Sequence, residues 1–289
     1  MARWKKIAVW GLALSCLTYF GLVALLYSQQ RRLLFPAPSY YRPPAAAGMA
    51  NMAEIRIRSD DNLLTAWYGG PKDGCRSAVM VFHGNGSAVY SNTDIFRDLM
   101  NAGYGVWSVA YPGYPGSEGF ASQDNLVKAA QVQADELSTR MGPDARIHYY
   151  GTSLGSGVAA QLSVTHPPDT LFLDAPFYSV VDLAAANMRG FPIRRMMRDT
   201  FKSFEALSIS DVPLYWTHGE ADRVVPISEG QRLFDTYTGP KSKLIIPNGN
   251  HVNLWALGAK NWTLSALAGT ETKVGAMAEN ISPAPSCPG

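Results

Sequence analysis

The apolar positions of the chain form one long N-terminal block, followed by short runs at regular spacing. The block extends from Ile7 to Tyr27 and contains no charged residue. As a helix it would rise about 1.5 Å per residue, roughly enough to cross the ~30 Å hydrocarbon core of a bilayer. It is apolar on every face, which disfavours a helix buried in a soluble core. The pattern therefore predicts a membrane anchor over residues 1–28.

A cleaved signal sequence is the main alternative for this block. Signal sequences usually have a shorter apolar region and end at an A-x-A-like site, and neither feature is present. The run "ALSC" before Cys16 resembles a lipoprotein cleavage site, but the apolar residues continue well beyond it. Three basic residues precede the block and two follow it, so the positive-inside bias is slight. We expect a single-pass protein with its main domain on the non-cytoplasmic side.

The next residues have the pattern of a linker and then of strands. Residues 29–53 are basic at first and then rich in Pro and Ala, which is typical of a membrane-proximal linker. From residue 54 onward, "EIRIRS" alternates apolar and charged positions, as a half-buried edge strand does. "LLTAWYGG" follows as its antiparallel partner, and the wholly apolar "SAVMVF" predicts a strand covered on both faces.

Beyond this third strand, helical and strand patterns alternate as far as residue 270. Strands separated by helices pair in parallel and carry helices on both faces of the sheet. Residues 177–211 are long for a crossover and predict a helical cap between two strands. The small and polar residues 271–289 are expected to form a disordered tail. The pattern thus predicts a mostly parallel α/β domain over residues 54–270.

Composition sets limits on function. The 289 residues are 47% hydrophobic and 17% charged, which is ordinary for a folded domain. The net charge of +2, with scattered basic residues, gives no nucleic-acid signal. The three cysteines fit neither a metal site nor a disulfide framework; Cys75 and Cys287 are the only conceivable pair, and we do not expect them to be joined. No metal or organic cofactor is expected, and no pattern predicts an oligomeric state.

Candidate chemistry is found first around Ser153. The stretch "GTSLG", Gly151 to Gly155, follows an apolar strand and begins a helix, which is the setting of a nucleophile elbow. Glycines two residues to either side avoid collision with neighbouring backbone. The helix N-terminus, with the amide of Leu154, offers N–H groups to a developing oxyanion. Because G-x-S-x-G also occurs by chance, the motif alone does not separate a catalytic serine from close helix packing.

A serine nucleophile needs a base that is held by an acid, and both types of residue follow later strands. His251 follows the last predicted strand in a Gly/Asn-rich loop. Asp222 follows the preceding strand in "HGEADRVVP", where His218 is expected to shape the loop. Asp174, at the end of "LFLD", is an alternative acid that could reach the same imidazole. The order serine, acid, histidine is the one expected on such a sheet.

The stretch "VFHGNGS", residues 81–87, follows the third predicted strand. The second oxyanion N–H of such hydrolases originates there, and we expect it to come from Asn85, together with the amide of Leu154. Gly84 would allow the backbone to approach the substrate, and His83 would hold the loop by a hydrogen bond. A turn with no catalytic part is the alternative, which the position after the third strand disfavours.

These motifs, in this order, resemble the α/β-hydrolase superfamily. The matching stretches are "HGNG", "YPGYPGSEG", "GTSLG", "DAPFYS", "HGEADRVVP" and "GNH". More narrowly, the chain resembles the membrane-anchored serine hydrolases that include the abhydrolase-domain depalmitoylases and their bacterial relatives. Members carry "Q-R-x-L-x-x-x-P" after the anchor, and "QRRLLFP" at Gln30–Pro36 is similar. The resemblance covers residues 33–267 and implies an α/β-hydrolase fold with a small helical cap.

We therefore predict a serine hydrolase of acyl esters or thioesters, with Ser153 as nucleophile, His251 as base and Asp222 as acid. An apolar cap and an anchor suit a lipophilic acyl substrate. The cap residues expected to form an acyl pocket, for most of which core packing is an equal alternative, are Phe177, Tyr178, Met188, Phe191, Met196 and Met197. A peptidase of the same fold is the second hypothesis. A catalytically silent, membrane-tethered binding protein is the third, and the presence of both triad and oxyanion residues disfavours it.

Overall fold

The computed structural model describes residues 2–277 and Cys287. An eight-stranded sheet forms its centre, in the order β1-β2-β4-β3-β5-β6-β7-β8. The strands are β1 (Ala53–Ser59), β2 (Asn62–Gly69), β3 (Ser77–Phe82), β4 (Gly105–Ser108), β5 (Arg146–Thr152), β6 (Thr170–Asp174), β7 (Leu214–Gly219) and β8 (Lys241–Ile246). β2 is antiparallel to both β1 and β4, and every other neighbouring pair is parallel. The predicted α/β-hydrolase fold, with its antiparallel start and parallel remainder, is confirmed.

Helices connect the parallel strands, and one further helix lies at each end of the sheet-forming part of the chain. The two end helices are α1 (Ala2–Leu34) and α9 (Lys260–Met277), and those between strands are α2 (Thr93–Asn101), α3 (Gln123–Met141), α4 (Leu154–Thr165), α5 (Val180–Asn187), α6 (Ile193–Met196), α7 (Ser203–Leu207) and α8 (Ile227–Thr236). A short π-helical turn over Trp255–Ala259 precedes α9. All six residues of β3 are buried, as expected for a strand that is covered on both faces.

The register of the central strands brings several loops to one edge of the sheet. Phe82, the last residue of β3, lies opposite Gly151 of β5. Thr152 of β5 lies opposite Asp174, the last residue of β6. Parallel strands end at the same edge, so the loops that follow β3, β5 and β6 start side by side. This edge carries the candidate site.

The N-terminal helix α1 is apolar and long enough to span a membrane, a property that a signal sequence near an N-terminus shares. It continues to Leu34, beyond the expected end of the anchor at residue 28. Val23, Leu26, Gln30 and Leu34 are half-buried, whereas their neighbours are mostly exposed. Residues three or four apart share one face of a helix. One face of the last turns of α1 therefore packs against the rest of the protein.

The segment 177–211 between β6 and β7 contains α5, α6 and α7, and we call it the cap. It packs on α4, where Phe177 would lie within 2.7 Å of any Cβ at Gly157. It also contacts α1: the hydroxyl of Tyr19 donates to the carbonyl of Gly190 at 2.9 Å, and the Tyr19 ring stacks on Phe191. The cap is thus held between α4 and α1.

The C-terminal segment differs from expectation in two respects. α9 continues to Met277, so the predicted disordered tail, residues 271–289, begins as helix. Cys287 is joined to Cys75 by a disulfide across 212 residues of sequence, although we expected the two thiols to stay apart. Cys75, in the loop before β3, and Cys287 are both buried. Residues 278–286, 288 and 289 lie outside the described residues.

Candidate active site

Ser153 occupies the turn between β5 and α4. Its φ is 50° and its ψ is −118°, a conformation that costs a non-glycine residue roughly 1–3 kcal/mol. The Ser153 N–H donates to the carbonyl of Asp174 at 2.9 Å, which fixes the turn on the end of β6. A Cβ at Gly151 would lie 2.6 Å from the carbonyl oxygen of Gly155, and one at Gly155 would collide with the carbonyl of Phe82. Both positions therefore require glycine.

A chain of hydrogen bonds links Ser153, His251 and Asp222. Nε2 of His251 lies 2.9 Å from Oγ of Ser153, and Nδ1 lies 2.7 Å from Oδ2 of Asp222. Because a carboxylate only accepts, Nδ1 donates to Asp222, and in the tautomer with its one proton on Nδ1 the Nε2 atom accepts from the serine hydroxyl. The Asp222 side chain is fully buried, and that of His251 is 15% exposed. The structure thus brings together the three residue types that nucleophilic catalysis needs.

The loop after β7 holds the Asp222 carboxylate in its ionised form. Its second oxygen accepts the N–H groups of Val224 and Val225, at 2.8 and 2.9 Å. Burial alone would raise the pKa of Asp222, but the bonds from His251 and from these amides outweigh burial and lower it. His218 donates from Nε2 to the Val225 carbonyl at 2.9 Å, so it shapes this loop.

Asp174, the alternative acid, points elsewhere. Its Oδ2 accepts the Tyr150 hydroxyl at 2.8 Å, and its Oδ1 has no partner among the described residues. Burial raises the pKa of Asp174 to about 7, against the opposing bond from Tyr150. The structure therefore places Asp222, and not Asp174, in hydrogen-bond contact with His251.

The segment after β3, His83–Gly86, lies beside Ser153, and we call it the HGNG loop. A Cβ at Gly84 would lie 3.4 Å from Cβ of Ser153, so the loop and the nucleophile turn are in close contact. Neither the Asn85 N–H nor the Leu154 N–H donates any hydrogen bond found among the described residues. Leu154 is the first residue of α4, where N–H groups are unpaired and the helix dipole is positive. Two amides are therefore available beside Ser153.

The buried His83 side chain stabilises the HGNG loop. Its Nδ1 donates to the Gly84 carbonyl at 3.0 Å, and the Tyr111 hydroxyl donates to the His83 carbonyl at 3.3 Å. The ring packs against Tyr111 and Tyr114, with centroids 4.2 and 5.1 Å away. Burial lowers the pKa of His83 to about 4, so the ring is neutral at physiological pH. This arrangement agrees with a loop-holding role.

A pocket of about 250 Å³ opens above Ser153 and His251. The sequence did not indicate two of its walls. One is the stretch from Ser87 to Ile95, which leads into α2, and the other is Trp255. The Trp255 indole N–H donates to Asp98 at 2.9 Å, which fixes the ring. Both walls directly follow predicted site loops in the chain, and this adjacency is the signal that could have located them.

The cap does not line this pocket, contrary to our expectation. Of the six cap residues named above, Met188, Met196 and Met197 line a separate groove against α1. Phe177 packs on α4, Tyr178 stacks on Phe204 and Phe191 stacks on Tyr19. The cap instead packs against α1, which provides apolar walls for this groove and polar partners for the cap.

The segment Gln30–Pro36 connects α1 to the site, and we call it the strap. The side-chain oxygen of Gln30 accepts the N–H of Arg198 at 2.8 Å, and its NH₂ donates to the Met196 carbonyl at 3.3 Å. Nε of Arg31 donates to Asp199 at 2.8 Å. The Asp199 side chain is only 4% exposed. The Gln and Arg that first marked this segment as a family motif are thus bound to the cap.

The end of the strap reaches the HGNG loop. Phe35 is buried, and its ring packs edge-on against Phe201 at 6.1 Å. The carbonyl of Pro36 accepts the N–H of Gly86 at 3.1 Å. Gly86 follows Asn85 directly, so the strap fixes the backbone on which one of the two available amides lies.

The described residues offer no metal site, since no group of three His, Cys, Asp or Glu side chains among them could hold an ion. A polarised serine, a neutral imidazole acceptor and two unpaired N–H groups suit attack on a carbonyl carbon.

Replacing the two aspartates separately tests which is the acid. Asp222→Asn should lower kcat for a small ester by orders of magnitude, roughly 10⁴-fold in a comparable triad, because the imidazole loses its orienting acceptor. Asp174→Asn should leave kcat close to that of the parent, because Asp174 does not touch His251. Steady-state kinetics on both variants give the answer. A large loss in Asp174→Asn alone would show that the acid is misassigned.

Asp174 also predicts a pH dependence of stability. Its pKa is about 7 in the folded protein against an ordinary 3.8, so between these values the folded state keeps a proton that the unfolded chain has lost. Stability should therefore fall as pH rises through this window, by at most about 1.4 kcal/mol per pH unit. Urea unfolding across the window should show a shallower fall for Asp174→Asn than for the parent. Equal slopes would contradict the raised pKa.

The strap predicts a difference between two adjacent arginines. Arg31→Ala should lower kcat for a small ester roughly tenfold with KM little changed, because a loosened strap displaces the HGNG loop. It should also lower Tm, since the buried Asp199 keeps the bond from the Gln123 N–H but loses its charged partner. Arg32→Ala is the matched control, because Arg32 is exposed and should behave like the parent. Active-site titration corrects for unfolded protein, and equal kcat values in the two variants would contradict the coupling.

Comparisons with known proteins agree with this architecture. No family model matches the chain. It is 30% identical over 242 residues to the uncharacterised protein Rv2307c of Mycobacterium tuberculosis, covering 83% of this chain and 86% of that protein. It is 26% identical over 266 residues to the alpha/beta hydrolase domain-containing protein WAV2 of Arabidopsis thaliana, covering 82% and 86%. The solved structure of the Pyrococcus furiosus esterase Pf2001 superposes with a TM-score of 0.66 at 17% identity, covering 83% of this chain and 98% of that one. With these relatives and this fold, the chain belongs to the α/β-hydrolase superfamily.

Proposed function

We propose that the protein is a serine hydrolase that cleaves acyl esters or thioesters. The observation that carries the proposal is the hydrogen-bonded chain from Asp222 through His251 to Ser153. It lies in an open pocket, next to two amides that are free to bind an oxyanion. A buried structural serine needs neither the strained turn nor a paired imidazole. The Pyrococcus furiosus fold neighbour is an esterase, which supports the same reaction class.

The acylation half-reaction follows from the bonded geometry. Oγ of Ser153 attacks the substrate carbonyl carbon while Nε2 of His251 takes the hydroxyl proton. Asp222 keeps the imidazole in the right tautomer and stabilises the imidazolium that forms. The N–H groups of Asn85 and Leu154 bind the oxygen of the tetrahedral intermediate. His251 then returns the proton to the leaving alcohol or thiol as its bond to the acyl carbon breaks.

Deacylation uses the same groups with water as the nucleophile. His251 takes a proton from a water molecule, whose oxygen attacks the acyl-enzyme carbonyl. The two amides bind the second oxyanion. The Ser153 oxygen leaves with the proton from His251, and the products are a carboxylic acid and the free enzyme. Atoms and charges therefore balance without a cofactor.

The pocket suits an ester or thioester better than a peptide. Asp174 is the only carboxylate among the residues that line it, and it is buried and hydrogen-bonded to Tyr150. No pair of acidic side chains among the described residues of the pocket is placed to bind a peptide's free amine. The remaining walls are small, amide-bearing or apolar side chains such as Ile95 and Leu254. These walls fit an uncharged acyl group.

Removing the nucleophile is the direct test. Ser153→Ala should abolish labelling by a fluorophosphonate probe and hydrolysis of p-nitrophenyl esters, because no other nucleophile lies at Nε2 of His251. Thermal unfolding should be close to that of the parent, since alanine keeps the Cβ and the turn. Ser156→Ala, one turn along α4, is the control and should still be labelled. Undiminished labelling of the Ser153→Ala protein would refute the proposed function.

We also propose that α1 remains attached as a membrane anchor, with the hydrolase domain on the non-cytoplasmic side. The contacts of Tyr19, Tyr27 and the strap with the cap support retention, because a cleaved leader would not need them. The Cys75–Cys287 disulfide supports the orientation, because such bonds persist mainly in oxidising compartments.

The orientation can be tested through the cysteines. The protein would first be quenched in acid and then dissolved in neutral denaturant without reductant. Maleimide should then modify Cys16 alone, because Cys75 and Cys287 are joined. After reduction all three should react. Protease added to intact cells or spheroplasts should digest the domain. Free Cys75 in freshly quenched protein, together with protection from the protease, would place the domain in the cytoplasm.

A further inference from the structure

A second cavity lies between α1 and the cap, apart from the pocket over Ser153. Its volume is about 250 Å³, near the lower limit of ligand pockets at roughly 300–1,000 Å³. A slender chain fits such a space better than a ring system. Its walls are chiefly apolar: Leu26, Leu33 and Leu34 from α1, and Leu183, Met188 and Met196 from the cap. We call this cavity the anchor groove.

The position of the anchor groove indicates what could fill it. One wall is α1 itself, and the groove begins at Leu26, within the last residues of the uncharged block that ends at Tyr27. If α1 crosses a bilayer over this block, the groove opens near the surface of the hydrocarbon layer, and the cap residues that contact Tyr19 lie deeper along the helix. The most abundant apolar chains at that depth are lipid acyl chains. A flexible unbranched chain can also enter sideways from the lipid layer.

The charges beside the anchor groove match a lipid surface. Arg195 lies between the groove residues Ile193 and Met196 on the cap and is exposed. Arg198 lies over the ring of Tyr27 at 4.4 Å and donates to its hydroxyl. Neither guanidinium group forms an ion pair with a carboxylate among the described residues. Arginines without a carboxylate partner at a membrane surface attract lipid phosphates.

The strap connects the anchor groove to the site. Leu34 lines the groove, Phe35 is buried behind it, and the Pro36 carbonyl is bound to Gly86 of the HGNG loop. Two residues of chain span at most about 7 Å. One end of the groove therefore lies close to the loop whose Asn85 amide faces the substrate carbonyl.

From this arrangement we infer that the anchor groove binds the acyl chain of a membrane lipid, whose ester carbonyl lies at Ser153. This inference rests on the proposed function and names its substrate class: lipid esters drawn from the bilayer in which α1 is anchored. On this inference the acyl chain runs along the strap, in which Leu34 lines the groove and the Pro36 carbonyl binds the HGNG loop. The reaction itself is the ester hydrolysis described above, with the fatty acid as the retained acyl group.

Filling the groove tests the inference. Ala184 lines the groove on α5, and Ala186, two residues further along, is exposed outside it. In full-length protein in detergent micelles, Ala184→Trp should lower kcat/KM for a dodecanoyl ester by about tenfold or more, as expected when several methylenes lose apolar contact. It should leave butyryl ester hydrolysis unchanged. Ala186→Trp should leave both unchanged. Equal effects of Ala184→Trp on the two esters, or none on either, would overturn the inference.

A binding measurement separates this inference from the proposed function. Ser153→Ala protein in phosphatidylcholine vesicles would be photolysed with a lysophosphatidylcholine that carries a diazirine near the end of its acyl chain. Mass spectrometry should find adducts on residues 26–34 or 180–197, and Ala184→Trp should remove them. Adducts confined to the exposed face of α1 would overturn the groove assignment, even if ester hydrolysis is intact. Groove adducts in a protein whose parent hydrolyses no ester would support the groove while refuting the proposed function.

Discussion

The candidate site depends on the close approach of two backbone segments, the end of β3 and the first turn of α4. Gly155 lies so near the carbonyls of Phe82 and His83 that no side chain fits between them. Any residue with a Cβ would push α4 away from the sheet, and the Leu154 amide would move with it. The same approach places Asn85 near Ser153, because Asn85 is only two residues beyond His83 and follows Gly84, which contacts Ser153. The strain of Ser153, roughly 1–3 kcal/mol, is therefore offset by the buried strand pairing on either side of it, together with the Ser153 N–H bond to the Asp174 carbonyl.

The parts of the site that strand order determines could be predicted from the sequence. Ser153, Asp222 and His251 each follow a strand, and parallel strands end at one edge, so their proximity follows from topology. The choice between Asp222 and Asp174 could not be made in this way. Both follow neighbouring strands, and only the direction of each side chain decides which one meets His251. Asp174 turns toward Tyr150, a partner more than twenty residues away in sequence, and no local pattern records that pairing.

Features that depend on packing between distant segments could not be predicted. The sequence does not show whether an apolar residue such as Leu26 faces lipid or protein. The contact of α1 with the cap, and with it the extension of the helix to Leu34, could therefore not be predicted. The cap methionines were expected over Ser153 for the same reason: their composition indicates an apolar surface but not which one. The disulfide joins positions 212 residues apart, and the spacing of three cysteines carries no information on such a pair.

The continuity of α1 has a consequence for where the enzyme can work. The helix has 33 residues and is about 50 Å long at 1.5 Å per residue, of which a bilayer core takes about 30 Å. The remainder continues without a flexible joint into the strap, where Arg31 and Phe35 are bound to the cap. In an anchored protein, this continuous helix would hold the domain at a fixed height and orientation relative to the bilayer, which a flexible linker would not do. The active site would then encounter molecules in the membrane and few in the surrounding solution. Its turnover rate would therefore depend on the surface density of substrate in the bilayer and little on the substrate concentration in water.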